Sequence, residues 1–587
     1  MESKPWLKHY EPHVPEHLTY PEVVLPDVLH QTAQDYEFRT AMIFKGARLS
    51  YGELNQAVNR FAAGLQSLGV KKGDRVAIHL PNCPQFPIAY YATLRIGAIV
   101  VPCNPIYKAH EMTHQLADSG AEVIVTLSSL APLIWEIQPT TQVRHIVVAQ
   151  IKTYLPPVSR LLFGLLLESK GGHKVDISGH RDTVWFSDVL AENAGHRPSP
   201  VTVTPDDTAV LMYTGGTTGL SKGAQLTHRN IVVNAYQCKA WLNTAQAQEI
   251  CMTQLPLFHC YGMTISMNLS VIMASTMLLI PDPRDLDDVM QSIIRFKPTL
   301  YPGVPAIYNS INNHPHAMRR NLKSIKVCIS GASGLPMPVQ QHFEEITGAH
   351  LVEGYGLSEA SPVTHANPVF GENRVGTIGL PWPDTEVKIV DAEEGLRTLG
   401  LNEPGELCVR GPQVMRGYWN MPTETANVLR VAPDEPSGQP WLYTGDIATM
   451  DQDGYFRIVD RKKDIIIGSG GLKIHPREIE DELYKHPKVL EAAAIGVPIE
   501  DRGERVKVFV VLKQGENATA DEIIAYCAEN LAPYKVPKFV EFRSELPKTT
   551  VGKPLRRLLR DEELAKRQAA PAAENVVADA PLPERSR

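Results

Sequence analysis

The 587-residue sequence lacks the cysteine pairs that structural zinc sites and disulfide frameworks require. Its eight cysteines are scattered along the chain, and none of them forms a C-x-x-C pair. We therefore expect a reducing, cytoplasmic location. The first residues contain no apolar stretch of the signal-peptide type, so we expect no secretory leader.

An excess of positive charge is also missing. Lysine and arginine number 58 against 65 acidic residues, which leaves a net charge of −7. Because a dedicated nucleic-acid-binding protein usually carries a basic face, this balance argues against nucleic acid as a partner. Hydrophobic residues make up 43% of the chain and charged residues 21%, which is typical of a globular protein with a substantial core.

The sequence has no unbroken apolar run of the kind that crosses a bilayer. The segment from Met263 to Ile280 carries no charge, but Asn268 and several hydroxyl residues within it predict a buried helix and strand. The run from Leu161 to Leu167 is too short to span a membrane. We expect a buried helix there, and the alternative is peripheral contact with a membrane surface.

One segment rich in glycine and threonine, MYTGGTTGLSKGAQLTH, follows a strand predicted from Thr208 to Thr214. Glycines let the backbone approach a ligand closely, the threonines add hydroxyl groups, and Lys222 adds a positive charge. Such a loop suits a polyphosphate. It is not the common phosphate-binding loop, because Lys222 precedes Gly223 and no Ser or Thr follows the lysine. A turn without a ligand is the alternative.

Other segments carry polar groups suited to a nucleotide. In EGYGLSEASPV, Tyr355 can stack on a base, and Ser358 and Glu359 can face a magnesium–phosphate complex. In WLYTGDIATMDQDGYFRIVDRKKD, Asp446 is expected on a glycine turn and can accept ribose hydroxyls, with Arg461 as a second contact. For each segment the alternative is an ordinary surface turn or hairpin.

Two isolated residues are further candidates. Lys553, in LPKTTVGKPLRR, lies beside a glycine, and a cation there can neutralise charge on a phosphoryl or acyl oxygen. His259, in LPLFHCYGM, is a lone histidine among apolar residues, a pattern more typical of the core than of catalysis.

The pattern of helices and strands changes along the chain. Residues 1–460 alternate between strands and helices, which predicts an α/β fold with parallel or mixed sheets. Within them, Ser50 to Glu53 reads as a capping box, and Arg75 to Leu80 and Ala121 to Leu127 read as strands. Residues 461–565 read as a small α+β domain. We expect the tail from residue 566 to 587, rich in Ala, Pro and charge, to be disordered.

In their order along the chain, the segments YTGGTTGLSKGA, GYGLSEA, YTGD, DRKKDIIIGSGGLKIHPREIE and PKTTVGKPLRR resemble the adenylate-forming superfamily over about residues 30–560. The resemblance is greatest to acyl-CoA synthetases, and among them to long-chain fatty-acid–CoA ligases. It implies a large N-terminal domain for ATP and the acid, followed by a mobile C-terminal lid. The implied reaction joins a long- or medium-chain fatty acid to CoA through an acyl-AMP, with Mg²⁺ as cofactor, and releases AMP and pyrophosphate.

The resemblance also implies roles for individual residues. The implied catalytic residues are Lys553, Glu359, Thr217 and Lys222, and the implied magnesium ligands are Thr217 and Glu359. The implied nucleotide-binding residues are Thr214, Gly215, Gly216, Thr217, Thr218, Gly219, Lys222, Gly331, Ala332, Ser333, Tyr355, Gly356, Ser358, Asp446, Arg461 and Lys553. The implied acyl pocket contains His259, Tyr261, Gly262, Met263 and Gly303. The implied hinge is Lys463, and Gly470 and Gly471 line the implied CoA channel.

One position departs from the family pattern, because Ser221 stands where the family often has proline. Three alternatives remain: an aryl- or 4-coumarate-type CoA ligase, an acyl-AMP ligase that loads a carrier protein, and a non-catalytic nucleotide- or lipid-binding regulator. The apolar segment LPLFHCYGMTISMN favours a fatty or aromatic acid over an amino acid. The sequence does not fix the acyl chain length or the oligomeric state, and it leaves a homodimer open.

Overall fold

The computed structural model describes residues 4–214, 221–432, 438–468, 472–499, 503–549 and 554–569. The chain divides into two compact units, Met1–Ile458 and Val459–Arg587. The predicted α/β class with mixed sheets is confirmed in the first unit.

The first unit alternates strands with helices. Its strands are β1 (Thr40–Phe44), β2 (Ala47–Ser50), β3 (Arg75–His79), β4 (Ile99–Pro102), β5 (Val123–Leu127), β6 (His145–Ala149), β7 (Thr183–Trp185), β8 (Thr208–Thr214), β9 (Lys222–Thr227), β10 (Ile250–Thr253), β11 (Thr276–Leu279), β12 (Val327–Ser330), β13 (His350–Gly356), β14 (Val363–Ala366), β15 (Leu380–Pro381), β16 (Glu386–Val390), β17 (Gly405–Arg410), β18 (Gly417–Tyr418), β19 (Leu429–Arg430) and β20 (Trp441–Met450). Its helices are α1 (Leu25–Asp35), α2 (Tyr51–Ser67), α3 (Gln85–Arg95), α4 (Ala109–Ser119), α5 (Ala131–Ile137), α6 (Pro157–Leu162), α7 (Phe186–Glu192), α8 (His228–Leu242), α9 (Leu269–Ile272), α10 (Leu286–Phe296), α11 (Pro305–Asn312), α12 (Met337–Thr347) and α13 (Pro422–Val428).

An eight-stranded sheet runs in the order β18-β9-β8-β4-β3-β5-β6-β7. The six strands from β8 to β7 in this order are parallel, and β9 and β18 extend the sheet by antiparallel pairing. The parallel strands are buried almost throughout, because helices cover such sheets on both faces. The predicted strands β3, β5 and β8 are all confirmed.

Helix α2 shows why the local sequence folds as predicted. The Ser50 side chain accepts a hydrogen bond from the Glu53 amide, and the Glu53 carboxylate accepts one from the Ser50 amide. This reciprocal capping box satisfies amide groups that the first turn of a helix leaves without partners. Leu54, Phe61 and Leu65 then point into the main core, where α2 packs with α3.

Three smaller sheets complete the first unit. Two have the orders β10-β11-β1-β2 and β12-β13-β14-β15, and Leu300 bridges them by pairing with Cys251 and with Val327. The third is antiparallel and includes β16, β17, β20 and β19 in that order. Strand β13 ends at Gly356, so the segment GYGLSEA begins at the end of a buried strand, where α/β folds commonly bind ligands.

The second unit is a small α+β assembly, and β21 (Phe456–Arg461) crosses the division between the units. Its three-stranded sheet has the order β24-β25-β26, beside a two-stranded pair, β22 and β23. The last helix reaches Ala569, beyond residue 566, where the disordered tail is expected to begin. The elements are β22 (Ile466–Ile467), β23 (Lys473–Ile474), β24 (Val489–Ile499), β25 (Gly503–Leu512), β26 (Phe539–Phe542), α14 (Pro476–Leu483), α15 (Ala520–Asn530) and α16 (Arg556–Ala569).

The two apolar segments noted in the sequence have different outcomes. The segment from Met263 to Ile280 forms a buried π-helix (Gly262–Asn268), α9 and β11, as predicted. The prediction of a buried helix from Leu161 to Leu167 is wrong, because five leucines of that segment are at least half exposed. Among the described residues, no helix is long and apolar enough to cross a membrane.

Candidate active site

Strands β8 and β9 form a hairpin whose tip is the predicted phosphate loop. Thr214 ends β8 and pairs with Lys222, the first residue of β9. The tip between them, with Gly215, Gly216, Thr217, Thr218 and Gly219, lies outside the described residues. The pairing holds the lysine at the mouth of the loop, at the end of a buried strand.

Lys222 is held by two residues that the sequence analysis did not identify. Its ammonium group donates a hydrogen bond to the Glu424 carboxylate and lies 5.5 Å from the centre of the Tyr418 ring. Glu424 is in the first turn of α13, and Tyr418 is in β18, which pairs with β9. The lysine therefore rests between an anion and an aromatic face, both of which attract cations.

Tyr418 also connects Lys222 to Glu359. Its hydroxyl donates a 2.8 Å hydrogen bond to Glu359 Oε1. Burial, reinforced by the nearby Glu359 charge, raises the pKa of Tyr418 well above its usual range, so the hydroxyl keeps its proton. The Met415 amide donates a 2.7 Å hydrogen bond to the Glu359 carbonyl, which fixes the turn that carries the carboxylate.

Tyr355 and Asp446 also lie together. The Tyr355 hydroxyl donates a 2.6 Å hydrogen bond to Asp446 Oδ2. Asp446 lies within β20, at an irregularity in its pairing with β17, rather than in a free turn. Gly445 has a φ of +73° there, a left-handed conformation that glycine adopts without steric cost. The structure thus brings together Tyr355, predicted to stack on a base, and Asp446, predicted to contact ribose.

The predicted acyl-pocket segment reaches the same region. Cys260 Sγ lies 3.2 Å from Ser358 Oγ, and His259 Nδ1 accepts a 3.2 Å hydrogen bond from the Tyr261 amide. Burial lowers the pKa of His259 to about 4, so the ring is neutral near pH 7. Burial raises the pKa of Cys260 to about 12, so its thiol stays protonated. Neither group supplies charge, and the segment forms an apolar boundary beside Ser358.

The rest of the predicted acyl pocket is closely packed. The Tyr261 hydroxyl donates a 2.7 Å hydrogen bond to the Ile329 carbonyl, and a Cβ added at Gly331 would lie 3.0 Å from the Tyr261 ring. A Cβ added at Gly303 would lie 2.8 Å from the Tyr308 ring. Both glycines therefore make room for aromatic rings.

Four further predicted site residues lie in the π-helix after Tyr261 and in the turn after β12. Gly262 and Met263 open the buried π-helix, an irregularity that occurs often at functional sites. Ala332 and Ser333 follow β12, and Ala332 has a φ of +68°. Because residues with a Cβ rarely adopt that conformation, the turn after β12 stores backbone strain, as ligand-contacting segments often do.

The second unit contains the predicted hinge region. Arg461 ends β21 and Lys463 lies in the following turn. Close to them in space, Arg556 forms ion pairs with Asp460, Asp464 and Glu480. This cluster ties the segment after β21 to α14 and α16. Gly470, Gly471 and Lys553 lie outside the described residues.

Comparisons with known proteins identify the family of this chain. The AMP-binding enzyme family model matches residues 29–419, and the model of the AMP-binding enzyme C-terminal domain matches residues 478–553. A long-chain-fatty-acid–CoA ligase of Bacillus subtilis (strain 168) is 45% identical over 563 residues, covering 96% of this chain and 98% of that protein. A long-chain-fatty-acid–CoA ligase of Escherichia coli O157:H7 is 39% identical, with 96% and 99% covered.

A solved structure has the same fold. The crystal structure of the anthranilate CoA ligase AuaEII in complex with anthranoyl-AMP matches with a TM-score of 0.82 at 25% identity, covering 94% of this chain and 99% of that one. The predicted resemblance is confirmed by a family model that spans the residues around Lys222, Glu359 and Tyr418. The chain belongs to the AMP-binding enzyme family.

Proposed function

We propose that this protein joins a fatty acid of long or medium chain to coenzyme A, using ATP and releasing AMP and pyrophosphate. The observation that carries the proposal is the contact of Cys260 with Ser358. Through this contact, a buried apolar segment lies against the polar turn that holds Glu359. An apolar acid and a nucleotide bound at these two elements would meet at one point.

Different polar groups of the site can bind different parts of ATP. Lys222 supplies positive charge for the β- and γ-phosphates, beside the loop that contains Thr217 and Thr218. Tyr355 borders the adenine, and Asp446 accepts ribose hydroxyls. Since Lys222 pairs with Glu424 in the structure, phosphate oxygens have to compete with that carboxylate for the lysine.

Glu359 would hold the magnesium ion that accompanies ATP. Its carboxylate is half-buried, and one of its oxygens is oriented by Tyr418. Protein sites often bind Mg²⁺ through one or two carboxylates together with substrate phosphates. Bound there with Thr217, the ion would neutralise phosphate charge during the reaction. The protein's contribution is to hold the Glu359 carboxylate in one orientation.

The chemistry has two halves. In the first, a carboxylate oxygen of the acid bonds to the α-phosphorus of ATP, and the bond to pyrophosphate breaks. In the second, the sulfur of CoA bonds to the acyl carbon, and AMP leaves with the carboxylate oxygen. Lys553 stabilises oxygen charge in the first half, and rotation about Lys463 then opens the channel lined by Gly470 and Gly471. Domain movement commonly assembles a catalytic site in this way.

Two features favour a fatty acid over the alternatives. The relative with 45% identity is named a long-chain-fatty-acid–CoA ligase, whereas the anthranilate ligase is 25% identical. The segment from His259 to Met263 also carries no charge near pH 7, because burial keeps the His259 ring and the Cys260 thiol uncharged. A carrier-loading enzyme would share the first half-reaction but would not use free CoA.

The test is AMP formation from Mg-ATP across a chain-length series of fatty acids, each assayed with and without CoA. We expect CoA-dependent AMP formation with a maximum at long or medium chains. Turnover only with aromatic acids would contradict the proposal and favour an aryl–CoA ligase. Pyrophosphate release without use of CoA would favour carrier loading, and no turnover with any acid would favour a regulator.

A further inference from the structure

The crossover between β6 and β7 carries an apolar surface that the rest of the fold does not cover. Residues 157–167, here called the leucine segment, form α6 and a following π-helical turn. Six of their large hydrophobic side chains are 50–72% exposed: Val158, Leu161, Leu162, Leu165, Leu166 and Leu167. The described chain has only thirteen other exposed large hydrophobic residues, which are spread from Phe38 to Leu558. A concentration of this kind marks an interaction surface.

The position of the segment is unusual for a crossover. A helix that connects neighbouring parallel strands ordinarily packs its apolar side on the sheet. Here the residues just before the segment do so, because Ile151, Tyr154 and Leu155 pack against the main core. No residue of the leucine segment belongs to a hydrophobic cluster of the described chain.

The base of the crossover is nevertheless well anchored. Lys152 Nζ and Glu168 Oε1 are 2.5 Å apart, which joins the chain before the segment to the chain after it. Ser128 Oγ lies 3.0 Å from His173 Nδ1, and the Trp135 and His180 rings stack with centroids 3.9 Å apart. The segment thus projects from a fixed base.

The charge around the segment points to one kind of partner. Residues 151–174 contain Lys152, Arg160, Lys170 and Lys174 against Glu168 alone, although the whole chain has a net charge of −7. The remainder of the crossover adds Arg181, Asp176 and Asp182. Leucines with lysines and arginines beside them are typical of segments that lie in the interface of an anionic bilayer.

We propose that the leucine segment is a docking surface for an anionic lipid bilayer, with the leucines in the acyl boundary and Lys170 and Lys174 at the headgroups. A second copy of the chain fits less well. In a two-fold dimer through this surface, each copy would bring the same basic residues to the contact, and these would repel one another. Long basic side chains instead reach headgroups while their stems lie on apolar surface.

The experiment is vesicle co-sedimentation of the full chain. The vesicles are phosphatidylcholine alone, or two parts phosphatidylcholine to one part phosphatidylglycerol. We expect tighter binding to the anionic vesicles, weakened by salt. The double variant L165Q/L166Q should lower that binding at least about tenfold. The double variant K170Q/K174Q should lower it about tenfold while leaving binding to phosphatidylcholine alone unchanged.

The matched control is L396Q/L401Q, which changes two leucines that are 61% and 49% exposed in a different loop. It should bind vesicles as the unchanged protein does. Failure of the unchanged protein to bind anionic vesicles would overturn the proposal, as would equal binding by L165Q/L166Q. A dimer in sedimentation velocity that L165Q/L166Q dissociates would assign the surface to a second copy instead. Vesicle binding needs no ligase activity, so its failure is separate from failure of the proposed function.

Discussion

Replacing Tyr418 with phenylalanine tests the central arrangement of the site. Tyr418→Phe keeps the ring beside Lys222 and removes only the hydroxyl that donates to Glu359 over 2.8 Å. A hydrogen bond to a charged group contributes about 1.5–3 kcal/mol. If that orientation is used in the reaction, kcat/KM for Mg-ATP should fall about 10- to 100-fold, since a tenfold change in rate corresponds to about 1.4 kcal/mol.

The assay is initial-rate AMP formation over a matrix of ATP and Mg²⁺ concentrations. Tyr443→Phe is the matched control, because the Tyr443 hydroxyl is also buried and donates over 2.8 Å, but to the Gly395 carbonyl. We expect the Mg²⁺ requirement to rise in Tyr418→Phe and to stay unchanged in the control. Wild-type kcat/KM and Mg²⁺ dependence in Tyr418→Phe would refute the assignment of Tyr418 as the residue that positions Glu359.

Three further predictions concern ion pairs and buried histidines. Glu424→Gln should lower the KM for ATP by up to about fivefold, because it frees Lys222 from a pair that is partly exposed and contributes at most about 1 kcal/mol; a raised KM in steady-state assays would contradict this. Arg556→Met removes the cation that pairs with three carboxylates, and it should lower the free energy of unfolding of the second unit by about 3–5 kcal/mol in calorimetry. Arg557 is half-exposed, so Arg557→Met should lower the free energy of unfolding by less than about 1 kcal/mol. Equal melting temperatures of the two variants would contradict this prediction. Acidification from pH 7 to about pH 5 should lower the free energy of unfolding by about 2 kcal/mol per buried histidine. Burial lowers each histidine pKa below its unfolded value, so the stability that is present above the unfolded pKa is lost as the pH falls. A denaturant midpoint that does not fall on acidification would contradict this prediction. The histidine pKa values are about 4 for His79 and His228, and about 3 for His365.

Features set by neighbouring residues could be predicted from the sequence. The capping box at Ser50 depends on a residue three positions away, and the strand from Thr208 to Thr214 depends on its own apolar run and the turn after it. Both are confirmed. The ordered segments also identified the family, and with it Lys222, Glu359 and Asp446 as candidates.

The partners of those candidates could not be predicted in this way. Tyr418 and Glu424 reach Lys222 from about 200 residues further along the chain, and the segment MRGYWNMPTE around them has no periodicity that indicates a site. Cys260 reads as one more apolar core position, although its sulfur contacts Ser358. The leucine segment shows the opposite limit. The hydrophobicity of a side chain predicts that its burial is favourable, but it does not predict which surface will cover the side chain.

The pairing of β18 with β9 has a consequence for synthesis of the chain. β18 is the two-residue outer strand of the eight-stranded sheet, and without it the backbone groups of β9 would form an open edge. Open edges invite pairing with other chains, and short outer strands limit that hazard. A ribosome has to add about 190 residues after β9 before β18 exists, so the nascent sheet stays unprotected for most of the synthesis of the first unit that remains after β9. Tyr418 is one of the two residues that close this edge, so a chain truncated before Gly417 would lose the tyrosine that contacts Glu359 and its protection from aggregation together.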